Sequence, residues 1–260
     1  MTTTRIPATV LVDDDGSVTL TKDQIAEFHR DGFMCIDRLT TAEEVGQLQA
    51  IYDRLFEDGT DIADRDRLEL AAGKDAPPAL PQIVNPDHYA PELRETIAFR
   101  NAMRVARQLL GPEVESAGMH AIRKPPRDGA ATPWHQDEAY WDPAVEHRAI
   151  SIWVPLQEAT MENGCLQFVG GTHVIEVQPH ELINPDSHGL KVVDPESVGE
   201  AVACPLPPGG ATVHTSRTMH YAGPNTSDGP RRALIMAFAC KPVPLDTPRS
   251  MPWQRPEWTE

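Results

Sequence analysis

The chain has 260 residues, 40% of them hydrophobic and 24% charged, with 23 basic against 39 acidic residues and a formal net charge of -16. That length suits one β-rich domain with a sizeable core, and the acidic balance argues against nucleic acid or an anionic membrane surface as a partner. No apolar run nears the roughly 18 residues of a membrane span, and Met1 to Asp15 lacks a basic-then-apolar leader, so a cytoplasmic location is expected.

Residues 1–20 are polar and read as a flexible arm with one short strand. Thr21 and Gln24 have the capping-box form, and the helix they open stops at Gly32. Phe33 to Ile36 reads as a strand. Thr41 and Glu44 form a second box, followed by Val45, Leu48, Tyr52 and Leu55 at helical spacing, with Gly59 as the stop. Residues 57–85 are charged, then rich in Ala and Pro, and are expected to form a long loop that could cover a site. Pro91 to Leu110 reads as a third helix with Ile97, Met103, Ala106 and Leu110 inward, which makes 21–114 mainly helical.

From residue 115 the texture changes to short apolar runs separated by Gly, Pro, Asn and Asp. The runs are Met119–Ile122, Ala149–Leu156, Cys165–Val169, Val192–Val193, Ala201–Leu206, Ala211–His214 and Ala233–Ala239. Helices followed by many short strands imply an α+β class, with an antiparallel sandwich or barrel over 115–241. The tail 242–260 carries a proline every few residues and is expected to lie extended over the surface. Cys35, Cys165, Cys204 and Cys240 make no C-x-x-C pair and are expected to be reduced and mostly buried.

Trp134-His135-Gln136-Asp137 contains His-x-Asp, and on an extended segment residues two apart face the same side. The pair alone carries little information. The second copy, His29-Arg30-Asp31, ends a helix, where such positions diverge. Downstream of the first lie His220 to Asn225 and then Arg231-Arg232. Two imidazoles and one carboxylate on one face of a metal leave three positions open, the arrangement of non-haem Fe(II) oxygenases. Arginine best binds the free carboxylate of a chelating cosubstrate. His214 competes with His220 as third ligand; the Gly-Pro-Asn turn and the spacing to Arg231 favour His220. Arg232 competes with Arg231, and alternation along a strand lets only one point inward.

The ordered motifs resemble the phytanoyl-CoA dioxygenase family of Fe(II)- and 2-oxoglutarate-dependent oxygenases over residues 20–242. They are Arg30 to Phe33, Lys124 to Pro126, Thr132 to Asp137, Ser151 to Leu156, Asn163 to Phe168, Gly170 to His173, and His220 to Asn225 followed by Arg231. The resemblance implies a double-stranded β-helix, a cupin-like jelly-roll barrel with N-terminal helices on one side, as a single domain. It implies iron on His135, Asp137 and His220, and 2-oxoglutarate chelating that iron with its distal carboxylate on Arg231. Trp153, His120 and Thr132 fall at further cosubstrate-lining positions. Tyr140, Trp141 and Arg217, near the ligands in sequence, are candidate substrate residues, though packing or solvated roles are as common for such side chains. The expected reaction consumes O2 and 2-oxoglutarate, releases succinate and CO2, and hydroxylates a C–H bond of a small metabolite or natural-product intermediate.

Relatives that halogenate leave the carboxylate position as Gly or Ala; Asp137 fills it, which favours hydroxylation, with desaturation or ring formation open on the same triad. Two departures stand out: Ala222 replaces a common hydroxyl two residues after His220, shifting cosubstrate contact toward Thr132 or His120, and Gly170-Gly171 replaces Pro-Gly. Two other classes remain open on sequence. One is a non-catalytic metal or 2-oxoglutarate binder, and the other is a cupin-like metal enzyme that does not use 2-oxoglutarate.

Overall fold

The computed structural model describes residues 2–57, 59–73, 76–195 and 199–254. Two sheets face each other as a jelly roll. The major sheet runs in the order Phe33–Ile36, Ala211–Thr215, Ala149–Pro155, Arg231–Ala239, Glu115–Lys124, Pro81–Val84 and Arg67–Glu69. The minor sheet runs Thr3–Thr4, Val202–Ala203, Leu166–Phe168, His220–Ala222 and Thr132–His135.

Period-two alternation sorts the side chains of the central strand Arg231–Ala239. Leu234, Met236 and Phe238 pack outward in one apolar cluster with the helices, while Ala233 and Ile235 face Phe168, Leu166 and Trp153 between the sheets. The two arginines divide as alternation requires. Arg231 is buried inside, and Arg232 turns to Asp53 on the helix Ala42–Leu55, with Nε to Oδ1 at 2.6 Å.

The first helix is Lys22–Asp31, with both bonds of the Thr21/Gln24 box formed. It ends at Gly32, whose φ is 78° and where a Cβ would lie 2.4 Å from the His173 ring, so only glycine fits. The second box is half formed. Thr41 accepts from the Glu44 amide, but the Glu44 carboxylate leaves its own helix and accepts from Ile97 N (2.6 Å) and Ala98 N (2.8 Å). A buried carboxylate thus caps the start of the helix at Ile97 and complements its dipole. That helix begins late, at Ile97–Leu110, because Thr96 caps it; Pro91–Glu95 is a 3-10 turn. Its buried face is Ala98, Ala102, Val105, Ala106 and Leu109, so Ile97, Met103 and Leu110 are only half-buried.

Two stretches differ from the sequence reading. Residues 57–85 are not one loop: Arg67–Glu69 and Pro81–Val84 extend the major sheet. The expected signal was hidden because Pro81 opens its strand, a position where its missing N–H costs little. The N-terminal arm is seated, with Thr3–Thr4 parallel to Val202–Ala203 and Arg5 on Asp31 at 2.7 Å. The tail is described as far as Gln254, and residues 255–260 lie outside the described residues. The four cysteines are free, and Cys240 is only half-buried. Among the described residues no helix is long and apolar enough to cross a membrane.

Candidate metal and cosubstrate site

The strand Thr132–His135 pairs with His220–Ala222 so that His135 and His220 are register partners. Their rings lie 4.1 Å apart between centroids. The backbone stays extended through Gln136 (φ -122°, ψ 130°) before the 3-10 turn Asp137–Tyr140, so Asp137 returns to the face of His135 although it lies beyond the strand. Gln136 points the other way, with Nε2 donating to Arg217 O at 2.8 Å and Oε1 accepting from Gln178 N at 2.7 Å.

Ligand atoms of His135, Asp137 and His220 all lie within 4.8 Å of one another. Asp137 Oδ1 is 3.7 Å from His135 Nε2 and 3.6 Å from His220 Nε2. Each imidazole donates its Nδ1–H to a carbonyl, His135 to Pro133 O at 2.8 Å and His220 to Thr218 O at 2.9 Å. That leaves both Nε2 lone pairs aimed at the carboxylate oxygen. Burial lowers the pKa of both histidines, and for His220 the neighbouring His135 and His214 add to it. Burial would raise the Asp137 carboxyl, but His220, His214 and His135 outweigh it and hold it below the usual carboxylate range. Two neutral nitrogen donors and one anionic oxygen fit a divalent first-row metal with open positions.

His214 belongs to the same cluster with a different role. Its Nε2 approaches the other carboxylate oxygen, Oδ2, at 3.4 Å, and Ser151 Oγ donates to that oxygen at 2.8 Å. Ser151 thus holds the carboxylate from behind, with the His214 ring close beside it, while Oδ1 faces the two imidazoles.

A cavity of about 790 Å³ opens from this cluster. At its inner end lies Arg231, 2% exposed, with Nε and Nη1 unpartnered among the described residues and its guanidinium 5.4 Å from the Trp153 ring centre. Burial pulls its pKa down to about 10, which leaves it charged at neutral pH. A buried, charged fork without a carboxylate is costly unless an anion joins it. The cavity therefore suits a small dicarboxylate reaching from the metal cluster to Arg231.

Thr132 is the register partner of Ala222, and both line the cavity, so the hydroxyl absent at Ala222 has a neighbour directly across the ladder. His120 and Trp153 also line it, His120 with Nδ1 2.9 Å from Gln82 Nε2. Tyr140 and Trp141 form part of the outer wall. Arg217 does not line the cavity: its guanidinium is held outside by Glu138 (2.9 Å) and Glu146, which leaves no free fork for substrate.

Sequence reasoning assigned no role to Lys124, although its motif was visible. It is fully buried across from Arg231, and its Nζ donates to Ala130 O (2.7 Å), Ala222 O (3.2 Å) and Gly223 O (2.7 Å). With its donors used, it ties the segment before Thr132 to the turn after His220. The outer cavity wall was also missed. Leu68, Leu70 and Leu80 meet Ile183, Gly189 and Leu190 over the opening, with Asn184 Nδ2 donating to Ala71 O at 2.7 Å and Leu190 N to Tyr140 Oη at 2.6 Å.

The family described as phytanoyl-CoA dioxygenase (PhyH) matches residues 28–233. The crystal structure of EvdO2 from Micromonospora carbonacea var. aurantiaca is 43% identical, covers 91% of this chain and 98% of that one, and has a TM-score of 0.79. EvdO2 complexed with 2-oxoglutarate is 40% identical over 95% of this chain and 99% of that one, with a TM-score of 0.78. The ectoine dioxygenase of Bordetella parapertussis is 28% identical over 254 residues, 92% of this chain and 81% of the relative.

Proposed function

Since the chain belongs to the phytanoyl-CoA dioxygenase family and is an Fe(II)- and 2-oxoglutarate-dependent dioxygenase, we propose that it hydroxylates a C–H bond of a small organic substrate held in the cavity beside His135, Asp137 and His220. In this reading those three side chains hold iron and Arg231 holds the distal carboxylate of 2-oxoglutarate. The observation that carries it is the pairing of an open His/Asp/His cluster with a buried guanidinium lacking an anion, in one cavity.

When bound, iron with 2-oxoglutarate and O2 supplies the C–H-cleaving oxidant, with succinate and CO2 as co-products. The protein's own residues supply position, charge and dryness. Nδ1–H donation to Pro133 and Thr218 carbonyls keeps each Nε2 free for metal. Ser151 orients the Asp137 carboxylate, and His214 packs beside its second oxygen. Thr132 supplies the hydroxyl contact that Ala222 lacks, and Trp153 braces Arg231. Tyr140, Trp141 and the apolar outer wall receive the substrate and exclude water from the reacting end. The Asp137 carboxylate occupies the position a halide would need, which favours hydroxylation.

Anaerobic titration of 2-oxoglutarate into the Fe(II)-loaded protein tests this. A weak visible charge-transfer band should saturate in the wild type and be lost in both His135→Ala and Arg231→Ala. Iron binding without such a band would overturn the cosubstrate assignment.

A further inference from the structure

The 3-10 turn that begins at Asp137 is held from outside by the last described residues of the chain. Trp253 Nε1 donates to Ala139 O at 3.0 Å, and Gln254 Nε2 donates to the same carbonyl at 3.0 Å and to Trp141 O at 2.7 Å. Upstream on the same segment, Arg249 N donates to Pro143 O and Leu245 N to Ala144 O, both at 2.9 Å, and Val243–Pro244 pairs with Val145–Glu146. Arg249 Nη1 donates to Val145 O at 2.9 Å, while its other nitrogens meet Glu146 and Glu176. Residues 243–254 therefore run as a strap along 139–146.

Trp253 reaches both flanks of the carboxylate. Its ring packs on His180 at 5.5 Å between centroids, and His180 Nε2 accepts the amide of Gln136, the residue before Asp137, at 3.2 Å. His180 Nδ1 donates to Gln178 O at 2.7 Å, which fixes that tautomer. Within itself the turn has Ala139 N to Gln136 O and Trp141 N to Glu138 O. Its inner side is tied by buried Glu138, whose amide donates to Ser216 O at 3.0 Å and whose carboxylate accepts from Ser216 Oγ and Arg217 Nε, both at 2.9 Å, so the carbonyls of Ala139 and Trp141 are what the strap holds. The strap lies wholly beyond the 28–233 stretch that the family matches.

We propose that the strap, through Trp253 and Gln254, is a positioning element for Asp137 that sets how tightly the site holds its metal. The inference rests on the metal reading of His135, Asp137 and His220. Neither residue touches metal or substrate. They act by pinning the carbonyls of Ala139 and Trp141, and so the start of the turn. Carbonyl and carboxylate partners outside a metal's own ligands typically change affinity by about 10–100-fold when lost.

The test uses Co(II) alone, titrated anaerobically into the full chain and followed by its visible ligand-field bands. Gln254→Glu keeps the side-chain shape but cannot donate, and Trp253→Phe keeps the ring on His180 but removes the N–H. The expected result is Co(II) binding weakened about tenfold in the double variant and less in each single one. The bands should shift, and the amides of 137–141 should exchange faster with deuterium, while metal-free thermal unfolding stays near that of the wild type. A folded Gln254→Glu variant with wild-type Co(II) affinity and band positions would overturn the proposal, and that single variant decides the matter should the double one not fold. Failure of the wild type to bind Co(II) would instead sink the metal reading itself, and this inference with it.

Discussion

The inner and outer ends of the cavity are built by different means. At the inner end, His135, His220, Thr132, Lys124, Trp153 and Arg231 all sit on strands whose neighbours are paired on both sides or whose ends are clamped by buried donors. At the outer end the wall comes from the edge strand Arg67–Glu69, from Leu70 and Leu80, and from the hairpin of His180–Leu182 with Leu190–Val192, joined across the opening by a handful of bonds. Groups that must keep sub-ångström geometry stand on or directly beside strands of the two main sheets, and groups that must admit a substrate stand at a sheet edge and in a separate two-stranded hairpin. Variants at the two ends should therefore fail differently: abrupt loss of binding inside, graded changes in opening outside.

The largest effect is expected at Asp137. Asp137→Ala removes the anionic oxygen between two neutral imidazoles, and Fe(II) affinity should fall by more than the roughly 100-fold seen when only outer partners are lost. Succinate release should disappear with it. His214→Ala, which removes a group behind the same carboxylate, should cost about tenfold in Fe(II) affinity. Equal losses in the two variants would erase the distinction between ligand and support.

Arg231 comes next and carries an unusual sign. Arg231→Leu should lower 2-oxoglutarate affinity by about 2–3 kcal/mol, the scale of hydrogen bonds to a charged group, read by calorimetry. The same variant should raise the melting temperature of the cosubstrate-free protein, because it removes a buried cation whose Nε and Nη1 have no partner. A lowered melting temperature would mean that Arg231 is already stabilised by the fold, and would weaken its assignment to a ligand.

How much of this could be read beforehand follows the same division. At the inner end the three ligands and Arg231 were legible from local patterns, whereas Thr132 and Trp153 were legible only through the family resemblance and Lys124 not at all, because its partners are carbonyls brought to it by the fold. His135 and Asp137 share a face two residues apart, His220 precedes a Gly-Pro-Asn turn, and strand alternation separates Arg231 from Arg232. The fold class was legible from helices followed by short strands. The outer wall was not, because Leu68, Leu70 and Leu80 lie in a stretch whose Ala, Pro and charges mask two strands, and their meeting with Ile183 and Leu190 depends on tertiary placement alone. Glu44 was misread for a related reason. Its spacing fits a local capping box, yet a helix distant in sequence offers two buried N–H groups and wins the carboxylate. Arg217 stood near His220 in sequence, but Glu138 and Glu146 hold it outside the cavity.

A smaller effect probes the exchange of a hydroxyl across the ladder. Thr132→Val should raise the half-saturating 2-oxoglutarate concentration by about five- to tenfold, one hydrogen bond's worth. Adding Ala222→Ser, directly opposite in register, should recover most of it. Recovery would show that the two positions serve one contact; no change in either variant would remove Thr132 from the cosubstrate site.

The smallest expected effect lies at the outer end, in the bond between the Leu190 amide and the Tyr140 hydroxyl. Tyr140→Phe keeps the ring in the cavity wall and leaves the Leu190 N–H without that acceptor, at a cost of about 1–3 kcal/mol if the amide stays buried. Because Leu190 sits in a short two-stranded hairpin and not in either main sheet, the fold can shed that cost by letting the hairpin lift into water. The global melting temperature should then change little, while amide exchange across Ile183 and Leu190–Val192 accelerates by about tenfold, as expected for about 1.4 kcal/mol of local opening. Fe(II) and 2-oxoglutarate binding, which depend on the inner end, should stay at wild-type levels. A variant that instead lost Fe(II) affinity in step with hairpin exchange would show that the two ends form one cooperative unit, and the contrast between a stiff interior and a yielding wall would not hold.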